Sequence, residues 1–315
     1  MKRIRIRGLL DIILAGDASE IEILAQDPKL DRAYSDRSLR LNGYVLGRVR
    51  KTLQIDGKPF PTVAARDAEG RAAAQSALWS RLNAYSLSVS AGPDEVECLA
   101  AFVRGEGSAE GCGRLVQEVV GRLFAPELKA TQASWDAAVV LDKAPRTMNP
   151  ALLVWWAATK RVERSKQLLS GMVQGDSAAV HAVGIALHNI VSGVKLMRQL
   201  FSDPRNRSAL SPEAAGGRCL FAPASVLRQP TASVSSVKGE LTTKTLVVLK
   251  LQDANANHPD RDVVFLRQTW SRCPAEQWVP ALLEGIWRRA CRLQTGIQAT
   301  GKATRCPFVP PPSSR

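Results

Sequence analysis

A mainly α-helical fold with a small β component near the C-terminal third is predicted by three observations. From about residue 67 to 201 the chain reads as a long series of helical segments. Residues 232–251 then change character: β-branched residues flank a Lys238-Gly239 turn and end in the apolar run TLVVLKL, the pattern of a hairpin. Finally, Phe265 to Gln294 carries Cys273 in a short polar loop, followed at once by Pro274 and an amphipathic run. In that run Trp278, Leu282, Leu283, Ile286, Trp287 and Ala290 recur mostly at steps of three and four.

In chain order, the start MKRIRIRGLLDIILAGD has a basic lead and an apolar run broken by Asp11, without a small-residue cleavage site. Residues 8–26 are read as helical, with Leu9, Leu10, Ile13 and Leu14 on one side, and Asp27-Pro28 ends the segment. Residues 30–66 are mixed and irregular, interrupted by Gly43, Gly57, Pro59 and Pro61. Helices are expected over 67–89, 94–105, 112–125, 130–142, 149–172 and 177–201. Breaks fall at Gly92-Pro93, the Gly-rich 105–113 segment, Pro126 and Pro145 to Pro150. Gly105-Glu106-Gly107 has no strand before it and reads as a link between helices rather than a nucleotide fingerprint.

The run 177–201 is the longest periodic helix, capped by Asp176 or Ser177 and stopped at Ser202-Asp203-Pro204. It is apolar nearly all round, as a helix inside a protein is, and no stretch of the chain approaches the length of a membrane span. His181, His188 and Asn189 are its few polar members; a buried histidine is more often a hydrogen-bonded core residue than a catalyst. The segment 211–230 and the hairpin follow, then the loop DANANHPDRD, in which Asp260 and Asp262 read as solvated acids. Residues 1–300 are expected to form one domain, and the Pro- and Ser-rich tail 301–315 to be flexible.

Composition narrows the class. Hydrophobic residues make up 45% of the 315, a globular value, and aromatics only 5%; three of the seven tryptophans (Trp270, Trp278, Trp287) cluster around Cys273. The 43 basic and 29 acidic residues give a net charge of +14, with the arginines scattered rather than gathered into a nucleic-acid motif. Six cysteines without a Cys-x-x-Cys pair, together with three histidines, argue against structural zinc and for a cytoplasmic protein with reduced thiols.

Cys273 then stands out. Pro274 suits the first turn of a helix, which would set Cys273 before unpaired N–H groups and the positive end of the helix dipole. That environment favours the thiolate, the form haem enzymes with a cysteine axial ligand require. The plainer reading is a small buried residue, and Pro280 would kink the helix or delay its start.

The order of features over 177–292 resembles the C-terminal half of a cytochrome P450. A long central helix ends near a proline (177–204), a short helix leads to a proline and arginine (211–230), and a small hairpin follows (232–251). Then come Asn257-His258-Pro259-Asp260 and Cys273-Pro274-Ala275. The resemblance implies haem b with Cys273 as axial ligand. Arg218, Arg228 and Arg272 would neutralise the propionates, and His188 and Asn189 would line the distal side. Val183, Gly184, Leu187 and Val191 would form the substrate wall. The implied activity is oxidation of an apolar small molecule, monooxygenase-like or peroxide-using, with hydroperoxide rearrangement on fatty acyl chains, and with an acidic redox protein as partner.

The chain also departs from that pattern. Where the cysteine loop of the family has Phe, Gly and a basic residue, Leu266, Thr269 and Ser271 stand here, and Ala275 replaces a glycine. Gly217 and Leu220 occupy the positions of the Glu-x-x-Arg pair, with Arg218 beside them. Ala186-Leu187-His188-Asn189 carries no acid–alcohol pair. Two other readings follow: a haem-free family member acting as a binding or scaffolding protein, and a basic helical protein that binds nucleic acid or anionic membrane.

Overall fold

The computed structural model describes residues 1–32, 39–84, 92–147, 149–257 and 260–292. The Cys306 segment, the 301–315 tail and His258-Pro259 of the expected loop lie outside the described residues. The chain divides into two compact units, each assembled from three separate stretches: 1–78, 140–163 and 221–274, and 79–139, 164–220 and 275–315.

The first unit is built on a five-stranded sheet. Its strands are β1 (Lys2–Ile6), β2 (Leu10–Ala15), β3 (Leu30–Asp31), β6 (Val226–Pro230) and β7 (Leu246–Leu249), in the order β1-β2-β7-β6-β3. A two-residue ladder, β4 (Gln54–Ile55) with β5 (Lys58–Pro59), stands apart. The central pair, β2 with β7, is parallel, setting Ile12 opposite Leu246 and Ala15 opposite Leu249; the other pairs are antiparallel.

Residues 10–15 are therefore a strand, not part of a helix over 8–26. LDIILA buries Asp11, Ile13 and Ala15 at alternate positions, so the period is two. The helix is confined to α1 (Ala18–Gln26), started by Asp17, whose carboxylate accepts from Ser19 N–H at 2.9 Å. Asp11 faces inward. It accepts both guanidinium contacts of Arg3, at 2.9 and 2.8 Å, and the Thr245 hydroxyl at 2.9 Å. Burial pushes its carboxyl up, but the bonds from Arg3 and Thr245 outweigh burial and hold it below the usual carboxylate range.

The stretch expected to be irregular holds a 13-residue helix, α2 (Arg40–Thr52). Asn42 on its inner face is fully buried and donates to the Asp11 and Lys244 carbonyls, both at 2.9 Å. The hairpin turn forms where expected: Val234 and Leu241 exchange backbone bonds of 2.9 and 2.8 Å, and Gly239 takes the positive φ of 88°. The apolar run after it, however, pairs with β2 and β6 instead of folding back on 232–235. The small β component thus recruits three strands from the N-terminus. Residues 251–257 of the expected loop form a short helix, and α-helix Arg261–Phe265 follows, capped by Asp260.

The second unit is helical. The helix expected at 112–125 starts earlier, at α5 (Ala109–Arg122), after α4 (Pro93–Val103); α6 (Gln132–Lys143) follows. The expected 149–172 helix is two, α7 (Pro150–Ala158) and α8 (Arg161–Met172). They part at Lys160, whose φ of 50° no helix can carry. The central helix α9 runs Ser177–Ser202, with Asp176 accepting from Ala178 and Ala179 N–H at 2.9 and 3.1 Å. By length and composition it is long and apolar enough to cross a membrane, contrary to the expectation that no stretch is, yet Leu187, Val194 and Met197 are all 0% exposed. It is a core helix. Short helices Pro204–Ala209 and α10 (Pro212–Arg218) lead to α11 (Trp278–Arg292), where Trp287 meets Phe201 edge-on at 5.3 Å.

Candidate functional site

In the first unit, the loop between Phe265 and Cys273 is tied at its ends. The Cys273 N–H donates to the Phe265 carbonyl at 2.8 Å. Leu266 opens the loop in the left-handed region (φ 48°), a strained conformation for a branched side chain. Thr269 stitches it internally: its hydroxyl bonds Leu266 O at 2.9 Å, contacts the Ser271 hydroxyl at 3.0 Å and accepts from Ser271 N–H at 3.2 Å. These hydroxyls stand where glycine and a basic residue were expected, and they shape the loop by side-chain bonds. Cys273 is half-buried and not in a disulfide. Its helix does not begin at Pro274: Pro280 removes one amide from the first turn, and α11 starts four residues later at Trp278.

The loop's outer half is gripped by arginines. Arg228, fully buried on β6, donates to Leu227 O at 3.0 Å and to the Ser271 hydroxyl at 2.5 Å, and its guanidinium lies 5.0 Å from the Trp270 ring centroid. Arg71 and Arg32 approach the same ring at 4.7 and 5.5 Å. Arg71, on helix α3 (Arg71–Ala84), also donates to the Trp270 carbonyl at 2.8 Å, and Gln75 one turn on donates to the Arg272 carbonyl at 3.0 Å. Burial pushes the Arg71 guanidinium below its ordinary value, against the raising pull of Asp31 and Asp67.

Three cations therefore share one indole. Two buried donors of this cluster, Arg71 Nε and Trp270 Nε1, have no acceptor among the described residues. Such a donor set suits an anionic group, and a thiol at the end of the same loop suits a metal. Together these residues fit a haem, with propionates as the anions and Cys273 as the ligand.

Of the residues expected from the sequence, Arg228, Arg272 and Cys273 meet on this loop, and Arg218 is exposed at the end of α10 in the other unit. Arg32, Arg71 and Gln75 were missed. They lie roughly two hundred residues from Trp270 in sequence, as the separation of 199 for Arg71 shows, and only the Trp270 cluster hinted at them.

In the second unit, α9 contains a π-helical stretch, Ala182–Ala186, that begins one residue before Val183 and includes Gly184. A π turn misaligns backbone carbonyls, often at functional sites. Here the Val183 carbonyl accepts from Gln117 Nε2 at 3.0 Å, while the same amide nitrogen bonds Ser134 O at 3.0 Å and the Ser134 hydroxyl bonds Gln117 Oε1 at 2.7 Å. Val183, Gly184, Leu187 and Val191 are buried; His188 and Asn189 are half-buried. His188 Nε2 meets the Ala138 carbonyl at 3.0 Å, which requires the proton on Nε2, and its ring lies 5.3 Å from that of Trp135.

The Glu-x-x-Arg positions carry no charge: a Cβ on Gly217 would meet nothing within 4 Å, and Leu220 is buried. One residue away, a Cβ on Gly216 would come 3.0 Å from Glu284 Cγ, so α10 and α11 pack closely there. Gly105 and Gly107 both have positive φ, and Arg198 holds their carbonyls, at 2.9 and 3.4 Å, as a link between α4 and α5.

No family model and no curated protein matches the chain. Solved structures do. A six-coordinate cytochrome P450 from Thermus thermophilus is 18% identical, with a TM-score of 0.57 over 90% of this chain and 84% of that one. Cytochrome P450EX alpha, solved with myristic acid, is 13% identical, with a TM-score of 0.58 over 91% and 82%. The mycinamicin VIII C21 methyl hydroxylase of Micromonospora griseorubida is 14% identical, with a TM-score of 0.58 over 97% and 88%. The chain has the cytochrome P450 fold.

Proposed function

We propose that this chain is a haem-thiolate oxidoreductase acting on an apolar substrate, with Cys273 as the iron ligand. The observation that carries the reading is the loop itself: it ends in a half-buried thiol and carries Trp270, whose surrounding arginines and orphaned buried donors ask for an anion. A haem bound there would supply oxidising chemistry whose O–O cleavage the thiolate favours.

The protein's own residues would do the rest. Arg228 and Arg71, with Arg272 in the role the sequence suggests, would hold the carboxylates, and Arg218, exposed in the other unit, is left out of that set. Buried Val183, Gly184, Leu187 and Val191 would exclude water from the substrate, and His188 and Asn189 would border the distal side. The π stretch and the turn after it, Ala182 to Asn189, carry no acid and no hydroxyl. Proton delivery for monooxygenation is therefore poorly supported, which favours peroxide use or hydroperoxide rearrangement on a fatty acyl chain. One structural neighbour holding myristic acid supports that substrate class. The charge of +14 suits an acidic redox partner, and the thiols suit the cytoplasm.

A haem-free scaffold is the second reading, favoured by Gly217 and Leu220 standing where the family carries its Glu-x-x-Arg pair. The absorption spectrum of protein expressed with adequate haem, reduced and exposed to carbon monoxide, separates the two. A red-shifted thiolate band that is lost in Cys273→Ala supports the enzyme. Clean, folded protein without haem absorbance overturns it and leaves the scaffold.

A further inference from the structure

One face of the first unit is apolar and basic at once. Helix α7, PALLVWWAA, has no polar residue in nine, yet its one buried side chain is Trp156, which packs with Val140 and Ala144 beside half-buried Leu152. Its neighbours point away: Val154 is 69% exposed and Trp155 54%. On α2 the row Leu41, Tyr44 and Val45 is likewise exposed (42%, 52% and 36%), at the one-turn spacing of a single helical face. α2 is tied to the chain on either side of α7: Arg48, next in that row, donates to the Ala144 and Thr147 carbonyls at 2.6 and 2.7 Å, and Lys51 pairs with Glu163 on α8 at 3.0 Å.

The same two helices and their ends carry exposed cations: Arg40, Arg50 and Lys51 on α2, Lys143 before α7 and Lys160 after it. Contiguous exposed apolar side chains on a folded protein mark an interaction surface. The mixture selects the partner. A nucleic acid would use the cations and leave Leu41, Val45 and Val154 in water. A lipid surface uses both, because Trp and Tyr favour the headgroup boundary, aliphatic side chains enter below it, and Lys and Arg meet anionic headgroups. A nine-residue helix, about 14 Å long, is too short to cross a bilayer core of about 30 Å, so the contact lies in the interface plane.

We infer that the α2–α7 face of this protein docks on an anionic membrane surface. The inference does not depend on haem. The test is flotation of the full chain with vesicles of phosphatidylcholine alone and of phosphatidylcholine mixed with phosphatidylserine, across a salt series. The protein floats with the mixed vesicles at low salt and leaves them as salt rises. Replacing Arg40 and Lys160 by Ser weakens that binding by about fivefold per charge. The pair Val154→Ser and Trp155→Ser abolishes it, while circular dichroism stays that of the parent because both side chains are exposed. Three results overturn the inference: no flotation with the mixed vesicles, flotation unchanged by either pair, or sedimentation as a dimer that Trp155→Ser dissociates, which gives the face to a second copy of the chain. Binding of duplex DNA that displaces the vesicles and survives Trp155→Ser also overturns it.

Discussion

The Arg228 guanidinium sits 5.0 Å from the centroid of the Trp270 ring while its own nitrogen bonds Ser271, the next residue along. A fully buried cation and an aromatic face thus hold the cysteine loop from its outer side. Such desolvated cation–π contacts contribute about 2 kcal/mol or more. Trp270→Leu, which strips the shared ring from three arginines, is expected to destabilise the protein by at least about 2 kcal/mol. Urea unfolding measures it. An unchanged midpoint would show that the arginines re-pair without the ring.

Gln117 closes the π stretch from the side, so Gln117→Leu leaves the Val183 and Ser134 carbonyls and the Ser134 hydroxyl short of partners. The expected cost is about 1–3 kcal/mol for each buried group left unsatisfied. Denaturant titration gives the total. A loss under about 0.5 kcal/mol would mean that the π stretch needs no side-chain support.

Gly193 is the contact point of α9 with the residue after α10: a Cβ there would stand 2.6 Å from the Cys219 carbonyl oxygen. Backbone cannot swing aside as a side chain does. Gly193→Ala is expected to cost about 1–3 kcal/mol in thermal or chemical unfolding, despite the better helix propensity of alanine.

The Asp11 carboxyl is held below its ordinary range, so its bonds to Arg3 and Thr245 stabilise the fold above the unfolded-state value and lose that contribution as pH falls through the folded one. Wild type and Asp11→Asn should differ most near neutral pH and converge on acidification. A gap that widens in acid would reverse the sign of this argument.

Burial pushes the Cys112 and Cys219 thiols up to about 12. Both should resist an alkylating reagent at neutral pH in the native protein, while half-buried Cys273 reacts ahead of them. Mass spectrometry of the modified peptides reads the order. On the haem reading, added haem protects Cys273 and leaves the other two as they were.

Most helices between 67 and 201 were legible because they keep a 3.6-residue pattern over ten residues or more and end near glycine or proline; the break at Lys160 carries neither and was not. Residues 10–15 were not: six apolar-rich residues fit either period, and the partner that decides between them, Leu246–Leu249, is some 230 positions on. Cys273 drew notice through its proline and its tryptophans, and Arg228 through its place in a family pattern. Arg71 and Arg32 carry no local signal. Their meaning appears only when Trp270 is set between them.

The parallel pairing of Ile12 with Leu246 bears on how the protein is born. At about 5–20 residues per second, a ribosome needs roughly 10–50 s to make the chain between those two strands. Until then β2 has β1 on one edge and bare backbone on the other, an invitation to other nascent chains. Fast overexpression should therefore yield aggregates seeded by the N-terminal hairpin, and slower synthesis or a holdase chaperone should raise the soluble fraction.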